Sequence, residues 1–175
     1  LNKDFDYEKA DTVFLALPHG ISNKYVHNLY DKIQIIDLSA DFRLDSFEIY
    51  KNNYGESHSS SNLLKNFIYG LPEFNKKKLH NHKNIAVPGC YPTSVLIPTL
   101  PLLKNKLINP NDIIIDSKSG YSGAGKKFDL QNITNSEDSN FYNYNGNLLF
   151  TDIEISLKEV LLELSNRNLN INILN

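Results

Sequence analysis

The stretch TVFLALPHG, Thr12 to Gly20, and the run IQIIDL, Ile33 to Leu38, decide the fold together with the residues between them. Thr12 to Leu17 is apolar after its first residue and stops at Pro18-His19-Gly20, the way a buried parallel strand ends in a loop. Ser22 then opens a stretch with Tyr25, Val26, Leu29 and Tyr30 at helical spacing, after which the second apolar run begins. Strand, helix and strand within about 27 residues make a βαβ unit. The handedness and burial rules for that unit predict an open α/β sheet.

Downstream, the pattern weakens from Ser39 to Phe74, and SHSSSN, Ser57 to Asn62, reads as an exposed loop with His58 facing solvent. Asn75 to His82 is polar with three consecutive Lys, a solvated helical face. His80 and His82 lie two positions apart on it, so their imidazoles point in different directions and no metal site is expected. NIAV, Asn84 to Val87, is a short strand running into PGCYPTS and the apolar VLIPTLPLL. Pro92 suits the first turn of a helix, whereas Pro98 and Pro101 should kink or end it. DIIIDS, Asp112 to Ser117, is a third buried strand and precedes the Gly-rich KSGYSGAGKK, Lys118 to Lys127. Ile153, Leu157, Val160, Leu161 and Leu164 then share one helical face, and INIL after them starts another strand.

Composition narrows the functional classes. Of 175 residues, 41% are hydrophobic and 22% charged, which fits a globular segment of about one domain. With a net charge of −2 there is no cationic excess to neutralise phosphates, so no nucleic-acid partner is expected. No apolar run approaches the roughly 20 residues that span a bilayer, and the charged first residues do not resemble a signal peptide, so no membrane partner and a cytoplasmic location are expected. The chain opens at Leu1 and holds no Met, which reads as an internal piece of a longer protein.

Two features could carry chemistry. Cys90, the single Cys, sits where a strand hands over to a helix N-terminus, whose dipole and backbone N–H groups stabilise a thiolate. It is therefore a candidate nucleophile, with a buried structural Cys as the competing reading. Gly120, Gly125 and Lys126 have the GxxxxGK spacing of a phosphate-binding loop, but Lys127 stands where that loop needs a Ser or Thr to hold Mg²⁺. What remains is a loop with Ser119, Ser122 and two Lys able to cradle an anion, or a plain surface turn. No GxGxxG fingerprint follows an early strand.

Five blocks in order, VFLALPHG (Val13 to Gly20), DLSADFRL (Asp37 to Leu44), YGLPE (Tyr69 to Glu73), PGCYPTS (Pro88 to Ser94) and SKSGYSGAGKK (Ser117 to Lys127), resemble the N-acetyl-gamma-glutamyl-phosphate reductase family. The resemblance implies the distal part of a Rossmann-type NADP-binding domain over residues 1–90. It implies the first part of a glyceraldehyde-phosphate-dehydrogenase-like α+β catalytic domain over residues 91–175. It makes Cys90 the catalytic nucleophile toward an acyl phosphate substrate, with phosphate as a product, in arginine biosynthesis. Pro18, His19 and Gly20 would lie by the nicotinamide, and Ser119, Gly120, Ser122, Gly123 and Gly125 against the cofactor or phosphate. A homo-oligomeric parent is expected. Two departures stand beside this: the family's Gly-rich cofactor loop would precede residue 1, and its acid–base His segment aligns with Asn147 to Asp152, where no His occurs. Loss of positioned acid–base help costs about 10²- to 10⁴-fold, so negligible reductase turnover is expected from this chain alone. A reductase of another acyl phosphate, carrier-bound aminoadipyl or aspartyl, and a non-catalytic binding module remain as alternatives.

Overall fold

The computed structural model describes residues 9–54, 57–109, 113–115, 118–120, 141–143 and 171–173. Strands β1 (Thr12–Leu15), β2 (Gln34–Asp37), β3 (Ile68–Tyr69) and β4 (Asn84–Ala86) form one sheet in the order β1-β2-β4-β3, with every neighbouring pair parallel. Helix α1 (Ser22–Leu29) connects β1 to β2, and α3 (Pro72–His80) connects β3 to β4. Between β2 and β3 lie α2 (Phe47–Tyr54) and a 3₁₀ helix (Ser61–Asn66). Helix α4 (Cys90–Lys104) leaves β4 toward β5 (Ile113–Ile115), which pairs in parallel with β8 (Ile171–Ile173). Strand β6 (Lys118–Gly120) runs antiparallel to β7 (Phe141–Asn143). The architecture is α/β, and INIL supplies the late strand that its composition implied.

Strand alternation builds the first core. Val13 pairs with Ile35 in register, and these two with Leu15 point to one face of the sheet. Val26 and Leu29, three apart on α1, cover that face with Leu63, Leu64, Phe67 and Phe42. Each such side chain contributes about 1.5–3 kcal/mol by burial. Phe14 points the other way and is 65% exposed, so β1 is buried on one face rather than two, and it ends at Leu15 rather than Leu17. Gly70 lies against β4: a Cβ there would meet Ile85 Cγ2 at 2.7 Å, and its N–H donates to the Ala86 carbonyl at 2.7 Å.

A second core joins Val95, Leu96, Leu100 and Leu103 of α4 to Leu71, Ile113 and Ile115. Pro92 takes its place in the first turn of α4, but Pro98 and Pro101 do not end the helix, which continues to Lys104. Both prolines lie on the exposed side with Ile97 and Leu102, while Val95, Leu96, Leu100 and Leu103 are buried. Packing of that face outweighs the roughly 3 kcal/mol that a helix-interior proline costs.

The segment expected to be an exposed loop is also different. His58 and Ser60 are buried, and the 3₁₀ helix that follows brings Leu63 and Leu64 inside. Short polar residues suggested solvent, yet here they are paired with other polar groups. The expected flexible loop at Lys118 begins as strand β6. Ser122, Gly123, Gly125 and the helical face of Ile153 to Leu164 fall outside the described residues.

Candidate functional site

Because β1, β2 and β4 are parallel and adjacent, the segments following them emerge at one edge of the sheet: Leu17 to Gly20, Leu38 to Arg43, and Val87 to Cys90. Ligands of open α/β sheets bind at this carboxyl edge. Arg43 ties two of the segments together, its Nε donating to the Val87 carbonyl at 2.8 Å and its Nη2 to the Leu38 carbonyl at 3.2 Å. The loop that carries Cys90 is thereby anchored to the end of β2.

Asp41 organises the loop after β1. Its Oδ1 accepts from the Gly20 N–H at 2.7 Å, and its Oδ2 accepts from the Asn23 N–H and the Asn23 side-chain amide, both at 2.9 Å. Gly20 adopts φ 78°, a left-handed conformation that glycine enters without strain and that turns its N–H toward the carboxylate. His19 Nδ1 lies 2.8 Å from Oδ1, a close polar contact poorly aligned for a hydrogen bond. Burial of Asp41 would raise its pKa, but His19 and the two backbone N–H groups outweigh that and hold the carboxyl below the usual range. Asp37 behaves oppositely: burial raises it, against hydrogen bonds from Ser39 N–H at 3.1 Å and Ser39 Oγ at 2.8 Å. The half-exposed His19 ring rests beside Tyr54 at a centroid distance of 4.3 Å, and Tyr50 Oη approaches its Nε2 at 3.4 Å.

His58 closes the network from below. The Ser60 N–H donates to Nδ1 at 3.2 Å, so Nδ1 is bare and Nε2 carries the proton, donating to the Asp41 carbonyl at 2.9 Å. Asn23 Oδ1 in turn accepts from Ser59 Oγ at 2.5 Å, and the Asn23 carbonyl accepts from Ser60 Oγ at 2.7 Å. Burial lowers the His58 pKa, against the Asp41 contacts that raise it. Protonation would place an N–H on Nδ1 against the Ser60 N–H. The native state therefore resists a proton that the unfolded chain accepts at about pH 6.5. Stability is complete above that value and falls as pH drops from it toward the lower native one. Urea unfolding at pH 7, 6 and 5 should show this decline, with a flatter profile for His58→Gln; an equal slope in both proteins would acquit His58.

Cys90 is the first residue of α4 and is exposed, so the buried structural reading does not hold. Gly89 caps the helix in an extended conformation, and its carbonyl accepts from the Thr93 N–H at 3.0 Å and Thr93 Oγ1 at 2.7 Å. Pro18, His19 and Gly20 are brought to the same sheet edge, whereas the backbone of Ser119 and Gly120 lies in β6 opposite Tyr142 and Phe141. The reading of residue types passed over Asp41, Asn23, His58 and Ser60. Their signal was present as two Asp residues four apart at the end of a buried strand, where a carboxylate needs partners. His80 and His82 are exposed, His82 Nδ1 lying 2.7 Å from the Lys78 carbonyl. Among the described residues no three His, Cys, Asp or Glu gather as metal ligands, and no helix is long and apolar enough to cross a membrane.

Residues 2–82 match the model of the semialdehyde dehydrogenase NAD-binding domain, and residues 90–148 match that of the semialdehyde dehydrogenase dimerisation domain. The chain belongs to the semialdehyde dehydrogenase family. Within the family it is similar to the N-acetyl-gamma-glutamyl-phosphate reductase of Ehrlichia canis, 48% identical over 130 residues, covering 74% of this chain and 37% of that protein. The protein of the same name from Caldicellulosiruptor bescii is 51% identical over 139 residues, 78% of this chain and 40% of the relative. A rice protein named as a probable chloroplastic N-acetyl-gamma-glutamyl-phosphate reductase is 41% identical over 159 residues, 90% of this chain and 38% of the relative. The chain thus spans about two fifths of the length of these relatives; of the sheet edge described above, Leu17 to Gly20 and Leu38 to Arg43 lie in the first matched region and Cys90 opens the second.

Proposed function

We propose that this chain contributes the nicotinamide end of the cofactor site and the nucleophile of an NADPH-dependent reductase acting on N-acetyl-gamma-glutamyl phosphate. One observation carries the reading: the parallel sheet delivers the Pro18–Gly20 loop and an exposed Cys90 to the same edge. The Cys90 thiolate attacks the acyl carbon, the bond to the phosphate oxygen breaks, and phosphate leaves a thioester on Sγ. Arg43 holds the loop before Cys90 through the Val87 carbonyl and so keeps the thiol at the edge. The partly exposed His19 side chain, backed by the Tyr54 ring, offers a planar group that fits an uncharged ring. When bound there, NADPH supplies the hydride that turns the thioester into the semialdehyde. The resemblance assigns Ser119, Gly120, Ser122, Gly123 and Gly125 to the side facing cofactor or phosphate.

The domain division is proposed at residues 90 and 91, where α4 begins. The proposed setting is arginine biosynthesis in the cytoplasm, by a homo-oligomer. The chloroplastic name of the rice relative makes the compartment a matter for each source.

The test is single-turnover acylation. Incubation with N-acetyl-gamma-glutamyl phosphate should release one equivalent of phosphate and leave the acyl mass on Cys90 in the intact-mass spectrum. Acylation by aspartyl phosphate alone would move the assignment to another acyl phosphate. NADPH binding with no acylation by any acyl phosphate would make the chain a non-catalytic binding module.

A further inference from the structure

The N-terminus of α1 is where an α/β sheet would receive an anion: the loop after β1 turns, and the Gly20 and Asn23 N–H groups are left without helix bonds at its start. In this chain that position is taken. The Asp41 carboxylate is fully buried, and it accepts from both N–H groups and from the Asn23 amide at 2.7–2.9 Å, with His19 Nδ1 at 2.8 Å. A phosphate approaching the same loop finds the Gly20 and Asn23 N–H groups spent and a negative charge behind them. An uncharged planar group meets no such penalty and can lie against the partly exposed His19 side chain.

We propose that Asp41 is a specificity-determining, positioning residue: as an internal anion on α1 it reserves the Pro18–Gly20 loop for the uncharged ring of a dinucleotide and excludes its phosphates. The assignment rests on the cofactor reading above and adds the residue that orients the cofactor. His58 and Asn23 serve it by holding the Asp41 backbone carbonyl and side chain in place.

Backbone ¹H–¹⁵N spectra of the 175-residue chain, titrated separately with nicotinamide and with inorganic phosphate, test this. In the native chain nicotinamide should shift the Gly20 and Asn23 amides while phosphate leaves them unmoved. Asp41→Asn keeps the volume and removes the charge; phosphate affinity at the loop should rise about tenfold or more while that for nicotinamide stays within about twofold. A purely structural role would weaken both ligands together, and that result, or phosphate shifts in the native chain, overturns the assignment. Should Asp41→Asn fail to fold, Asp41→Ala refolded with formate replaces it. Recovery of the native spectrum with rising formate supports an internal anion, and no recovery refutes it. If nicotinamide shifts nothing while the phosphate arm behaves as expected, the cofactor reading falls and the anion role of Asp41 stands.

Discussion

Replacing Cys90 with Ala should reduce acyl transfer from N-acetyl-gamma-glutamyl phosphate to the background rate of phosphate loss, with no acyl mass on the protein. Removing the nucleophile of a covalent mechanism costs on the order of 10⁶-fold where the full catalytic set is present, because no other group can take over bond formation. Cys90 is the single Cys in the sequence, so no second thiol can mask the loss. The exposed position at the start of α4 also means that Ala replaces no core volume, and Ala is the best helix former. Unfolding stability should therefore stay unchanged while acylation disappears. Persistent release of one equivalent of phosphate from Cys90→Ala would remove Cys90 from the mechanism.

The largest effect on stability should come from Phe42→Ala, about 3–5 kcal/mol. Phe42 is 2% exposed, stacks on Phe67 with ring centroids 4.0 Å apart, and receives the edge of His58 at 4.9 Å. It sits between Asp41 and Arg43, so a cavity there loosens the residue that closes α1 and the residue that anchors the Cys90 loop. Against a typical total of 5–15 kcal/mol, such a loss brings a small domain close to unfolding at 37 °C. Urea denaturation followed by circular dichroism measures it. A loss below about 1 kcal/mol would mean that the aromatic cluster repacks, and the account of the core around Phe67 and His58 would be wrong.

The parts of the fold legible in the sequence were those written by periodicity. The apolar runs around Val13, Ile35 and Ile85 became the adjacent strands of the sheet, and Val26 with Leu29 set the buried side of α1. Cys90 at the junction of strand and helix was legible for the same reason, since Gly89 and Pro92 mark that boundary locally. What resisted reading depends on partners distant in sequence. Nothing local distinguishes His58 in SHSSSN from a solvent residue; its burial follows from Asp41 and from Phe42 and Tyr50, whose rings it meets edge-on. Pro98 and Pro101 misled because their local cost is certain, while the packing of Leu96 and Leu100 against Ile113 and Ile115 is decided elsewhere in the chain.

The strand order has a consequence in time. β4 lies between β2 and β3 although β3 precedes it, so Ala86 is the residue on which Asp37 and Tyr69 both wait. Parallel pairings across so long a stretch of chain close slowly, because the entropy of the loop must be met before the contacts form. The insertion of β4 is therefore the step that completes the sheet, and Val87 accepts the Arg43 anchor in the same motion. An emerging chain would therefore present Cys90 at a finished helix start only once the loops after β1 and β2 already have their scaffold.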